Sequence, residues 1–239
     1  MLAWSGEVGA ADWIVDRLRP FGAEVGSLVP DGLAAYARLL HPAWRTECGR
    51  RVKVRWDELA AQSGVRLEVT TRFEELEGSA ASQGFEPPDV GTLDERDLQT
   101  LVDLLATSTG TRQSCWFGWW EGYGWMQGPP AVAELRDHGR PTAGTKPFAP
   151  PAPSGPRVDL PERPLVLYRG LIGDATAFCR PPASQSPNLW WPDDHAWCVA
   201  SEIDFRSTYL GGSQALIDRV LDDERFEALP ARPADRVTD

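Results

Sequence analysis

The sequence predicts one α+β domain over residues 1–239, with a largely antiparallel twisted sheet and helices packed mainly on one face. Three observations predict it. Seven of the eleven tryptophans fall in two short runs, Cys115–Trp125 and Asn188–Cys198, that read as central strands. Leu93–Ala106 carries leucine and valine at helical spacing, and Leu165–Gly170 is a short apolar run of strand length. Composition is globular, with 42% hydrophobic and 25% charged residues.

The elements follow in order. Trp13, Ile14 and Leu18 give an apolar face to a first helix over Ala10–Arg19, which Pro20 and Gly22 end. Pro30-Asp31-Gly32 opens a second, predicted through Leu40 from the spacing of Leu33, Tyr36, Ala37 and Leu40. Residues 52–56 and 65–73 alternate and suggest short strands, with a helical turn at Asp57–Gln62 between them. Residues 74–91 read as a surface loop. Thr92 and Glu95 fit a capping box for the helix ending at Ala106.

A strand at Ser114–Trp120 then turns at Glu121-Gly122 and returns through Trp125. Between Gly128 and Pro164 lie ten of the twenty-one prolines, so residues 128–163 form an insert or long loop rather than a regular element. Strands at Leu165–Gly170 and Ala196–Ser201 follow. Ser213 is suited to cap a last helix through Leu221, whose stripe is Leu216, Ile217, Val220 and Leu221.

Composition limits function. A net charge of −11 excludes most nucleic-acid roles, since phosphate binding needs a basic footprint, and it suits a basic protein partner. No stretch is long and apolar enough to span a bilayer, and Met1–Glu7 lacks a signal-peptide pattern, so a cytoplasmic location is expected. Four scattered cysteines without C-x-x-C suit buried free thiols better than a zinc site or disulfides; no metal and no cofactor is expected.

No nucleotide-binding, hydrolase-elbow or metalloprotease motif occurs, so binding is favoured over catalysis. The weak catalytic candidates are Asp194 and His195 as an acid–base pair, with Glu202 and Asp204 nearby; a plain turn at Pro192-Asp193-Asp194 is the simpler account. The candidate binding residues are Trp120, Tyr123, Trp125, Trp190, Trp191, Trp197 and Arg169. Because strand neighbours point to opposite faces, each Trp-Trp pair must be divided, one ring toward the core and one outward. Two functions follow: a non-catalytic protein-binding domain with an acidic surface and partly exposed aromatics, or a small-molecule-binding protein or enzyme with a Trp-lined pocket.

Phe21–Leu33, with its Leu28-Val29-Pro30 step, and Tyr209–Ser213 before an amphipathic helix resemble the SUKH superfamily. That resemblance implies an α+β fold and an immunity role against a bacterial toxin. Asn188–Phe205 and Thr208–Ser213 are similar to an uncharacterised protein family of high-GC bacteria, which implies no activity. No catalytic residue carries over from either.

Overall fold

The computed structural model describes residues 1–76, 78, 84–126, 153–161, 163–179 and 183–237. Its centre is an eight-stranded antiparallel sheet in the order β1-β6-β5-β7-β8-β9-β2-β10. The strands are β1 (Ala3–Trp4), β2 (Ala35–Leu40), β5 (Cys115–Trp120), β6 (Leu165–Gly170), β7 (Leu189–Pro192), β8 (Trp197–Ser201), β9 (Ser207–Gly212) and β10 (Ala228–Ala231). A separate hairpin joins β3 (Ala43–Glu47) to β4 (Arg50–Val54). Its two loop residues, Cys48 and Gly49, both have positive φ, as a tight two-residue hairpin turn requires.

The two tryptophan runs lie side by side on β5 and β7, with Trp116 opposite Trp191 and Phe117 opposite Trp190. Alternation then sorts every ring. Phe117, Trp119, Trp190, Trp197 and Val199 face one side, where α3 (Glu95–Ala106) and α4 (Gln214–Leu221) close over them. Trp116, Trp191, Leu167, Leu189 and Tyr209 face the other, covered by Ala11, Ile14, Val25, Val29 and Val158. So the amphipathic helices α3 and α4 share one face. The opposite face is roofed mostly by irregular chain and the single-turn α1 (Asp12–Val15).

The caps explain the helix boundaries. Ser213 Oγ accepts the N–H of Leu216, as its position predicts. The start of α3 differs from expectation: Asp94 caps it by accepting the N–H of Arg96, while Thr92 exchanges hydrogen bonds with Ser186. Arg55 gives α2 (Trp56–Ser63) no side-chain cap. Instead the distant Glu227 carboxylate accepts the N–H groups of Trp56 and Asp57.

Several predicted elements are corrected. The helix expected through Leu40 is β2, held between β9 and β10. The spacing of Leu33, Tyr36, Ala37 and Leu40 fits a helix, but ladder pairing on both edges overrides it. The helix expected over Ala10–Arg19 is only a 3₁₀ turn followed by α1. Arg19 turns back to give its N–H to Gly26 O and its guanidinium to Glu24 and Asp31. Residues 65–73 form no strand, because buried Arg38 takes the carbonyls of Val69 and Thr71. Trp125 lies in a 3₁₀ turn, Gly124–Met126, rather than a return strand. Cys48 is exposed, although the thiols were expected to be buried. Of the predicted insert at 128–163, residues 128–152 and 162 lie outside those described.

Candidate functional site

The sheet face roofed by irregular chain holds a cavity of 430 Å³. Its floor is the end of the sheet: Trp120, Leu165, Leu189, Ala200 and Ser201. Val15, Leu18, Phe21 and Leu28 form one wall, and Asp159, Leu160 and Pro161 the other. The volume is within the range of small-ligand pockets. Its lining is mostly apolar, with four charged residues, Arg19, Asp159, Arg163 and Glu202.

Local packing keeps the cavity open. Asn188, itself buried, ties the ends of β5 and β8 to the turn after β5: its Oδ1 accepts Trp120 N–H at 2.9 Å, and its Nδ2 donates to Ser201 O at 3.0 Å and Tyr123 Oη at 2.8 Å. Trp120 meets Tyr123 edge-on at 5.5 Å and is left half-buried on the cavity side. Gly118, on the same face of β5, leaves room for Leu165, whose Cδ1 would stand 2.8 Å from an added Cβ.

At the charged end, Arg163 Nε lies 2.5 Å from Glu202 Oε1, with side chains 17% and 6% exposed. Among the described residues, neither atom has an aligned hydrogen-bond partner, and neither has Arg163 Nη1. Burial pushes the Glu202 carboxyl above its ordinary range, and the Arg163 charge pulls part of that back. Exposed Asp204 sits 3.4 Å from Arg163 Nη2. The Phe21 ring, 49% exposed, lies 4.8 Å from the guanidinium carbon.

The other sequence-predicted residues go elsewhere. Trp190, Trp191 and Trp197 are at most 1% exposed and serve the core. They are enclosed because β7 and β8 are interior strands covered on both faces. Tyr123 and Trp125 are half-buried, stacked at 6.2 Å, with Trp125 against Phe178. Arg169 is exposed, pairs with Asp193 at 2.9 Å and stacks on Trp116.

Asp194 and His195 each take other partners. Asp194 accepts from Thr109 Oγ1, Gly110 N and Ala196 N, fastening the β7–β8 turn to the end of α3. Burial raises its carboxyl, but these bonds and Thr111 outweigh it and hold the group below the usual carboxylate range. The His195 ring stacks on Trp13 at 4.3 Å, with its backbone at φ 55°. Burial lowers its basicity, and the charge of Asp193 only partly restores it.

Sequence reasoning named Trp120, Glu202 and Asp204 but missed Arg163, Asn188 and the Phe21 wall. Asn188 was the accessible signal, a polar residue directly before an apolar strand. Arg163 sits among prolines and carries no local signal. Among the described residues, no three His, Cys, Asp or Glu side chains are grouped to hold a metal, and no helix is long and apolar enough to cross a membrane. Burial raises Cys115 and Cys179 to about 12, far from thiolate chemistry at neutral pH. Comparison with protein-family models, curated proteins and solved structures finds no match.

Proposed function

We propose that this chain is a non-catalytic binding protein whose recognition element is the cavity beside Trp120, and that its occupant is a compact, largely apolar small molecule. One observation carries the reading: a 430 Å³ largely apolar recess, lined by Trp120, Leu165, Leu189 and Phe21, has the buried Arg163–Glu202 ion pair in its wall. A concave, mostly apolar recess with a few polar groups at one end is the usual form of a small-molecule site. Asp194 and His195, engaged in a turn and in a ring stack, give no support to an acid–base reaction.

The test is a fragment screen by ligand-observed NMR against the wild type and Ala200→Leu, which narrows the cavity at its floor. Fragments that bind the wild type and fade in the variant support the reading. Fragments that bind both equally sink it.

A protein partner is the second reading, favoured by the exposed apolar side chains Phe21 and Val15 at the mouth and by the net charge of −11. In that form, which includes the immunity-like role, a basic partner inserts an apolar side chain into the same recess. Its complex would weaken with salt and with Phe21→Ser. A complex insensitive to both would exclude this mode.

A further inference from the structure

We infer that the cavity selects cations carried on an apolar body, such as an alkylammonium on an aromatic frame, an inference that rests on its being a ligand site. Four charged residues line it, and they differ in what they have left to offer. Arg19 is matched by Glu24 at 2.6 Å and by Asp31 at 3.0 Å. Arg163 lies between Glu202 and Asp204, and its Nε and Nη1 are buried beyond a ligand's reach. Glu202 is 6% exposed and committed to Arg163. Asp159 is exposed, and its side chain has no ion pair or hydrogen bond among the described residues. Of the four, the group free to meet a ligand is an anion.

The charge gathered around the recess has the same sign. The guanidinium groups of Arg19 and Arg163 stand against the carboxylates of Glu24, Asp31, Asp159, Glu202 and Asp204, and two against five leaves three net negative charges. A ligand carboxylate would enter that excess and find both arginines already held by two carboxylates each. A neutral polar group would gain little from it. An ammonium gains twice, from the open Asp159 carboxylate and from the surrounding field. Trp120 and Phe21 line the same recess, and the negative faces of such rings attract a cation and repel an anion. The apolar walls take the rest of the molecule.

The experiment titrates the full chain at low salt with three probes sharing one phenylpropyl body: 3-phenylpropylamine, 3-phenyl-1-propanol and 3-phenylpropanoate. The amine is expected to bind about fivefold more tightly than the alcohol, as one partly exposed ion pair allows, and the carboxylate more weakly than either. Asp159→Asn should erase most of the amine's advantage and leave the alcohol's affinity unchanged. That variant should fold as the wild type does, because the side chain bonds no neighbour among the described residues. Glu58→Gln removes the same unit charge from α2, which does not line the cavity, and should leave the advantage in place. The alcohol equalling the amine in the wild type, or the carboxylate binding tightest, overturns the cation assignment while the cavity remains a ligand site. An advantage that survives Asp159→Asn intact also overturns it. So does an equal loss in Asp159→Asn and Glu58→Gln, since the preference would then reflect the charge of the whole chain. Failure of all three probes to bind removes the ligand-site reading and this inference with it.

Discussion

The two Trp-Trp pairs have the same local pattern and opposite fates. Trp119-Trp120 and Trp190-Trp191 each sit on a strand, and in each the first ring enters the helix-covered core. The second rings share the other face, yet Trp191 is fully buried and Trp120 is not. Trp191 lies on β7 in the middle of the sheet, 6.5 Å from Trp116, in a cluster with Ala11 and Ile14. Trp120 ends β5, where the cover thins into the cavity. Alternation decides which face a ring takes. What lies over that face is decided by chain far away.

The largest expected effect tests that contrast directly. Trp191→Ala should lose about 3–5 kcal/mol of stability, the cost of emptying a packed aromatic site. Trp120→Ala, which removes a ring already facing a cavity, should cost about 1–2 kcal/mol and mainly reduce ligand binding. Denaturant unfolding of both variants gives the comparison. Equal losses would mean that Trp120 is an ordinary core ring.

How much of this could be read from the chain follows the same division. The strand positions of Cys115–Trp120 and Leu165–Gly170, the splitting of the pairs and the Ser213 cap were legible because period, β-branched or aromatic content and capping chemistry are local. Leu33–Leu40 was misread because its apolar spacing satisfies a helix as well as a strand, and the decision came from β9 and β10 on either side. Arg163 and Glu202 were not legible as a pair, since nothing local links a proline-rich segment to the end of β8. Asp94 displaced Thr92 as cap because Ser186 claims the threonine hydroxyl.

The next effect asks whether the open and closed rings belong to one cooperative unit. His41 is buried, donates from Nδ1 to Asp89 O at 2.8 Å and accepts at Nε2 from Thr208 Oγ1 at 2.9 Å. Thr208 Oγ1 meets Ser201 Oγ at 2.7 Å, and Ser201 O accepts from Asn188, which also receives Trp120 N–H. Burial lowers His41 from 6.5 to about 4, with Asp89 O opposing that shift and the nearby Arg38 charge reinforcing it. Its folded pKa is therefore depressed, so the unfolded chain binds more protons. Stability from the neutral ring is fully present above pH 6.5 and falls as pH drops toward 4, by about 3 kcal/mol over that interval. His41→Asn should lack this loss. In the wild type, the indole N–H signals of Trp120 and Trp191 should shift together during acid unfolding. Trp120 shifting well before Trp191 would show two separately melting regions.

The smallest effect concerns the turn that follows Trp191. Asp194 binds Thr109 and Gly110 and thereby fixes the exit of β7 against the end of α3. It is exposed, so its bonds compete with water, and Asp194→Ala should cost only about 1 kcal/mol. Binding of fragments that occupy the cavity should be unchanged, because this turn lies at the opposite end of β7 from Leu189 and Asn188 at the cavity floor. A variant that keeps its stability but loses that binding would tie Asp194 to the ligand after all. It would also make the covered end of the second pair, rather than the open end of the first, the place where function resides.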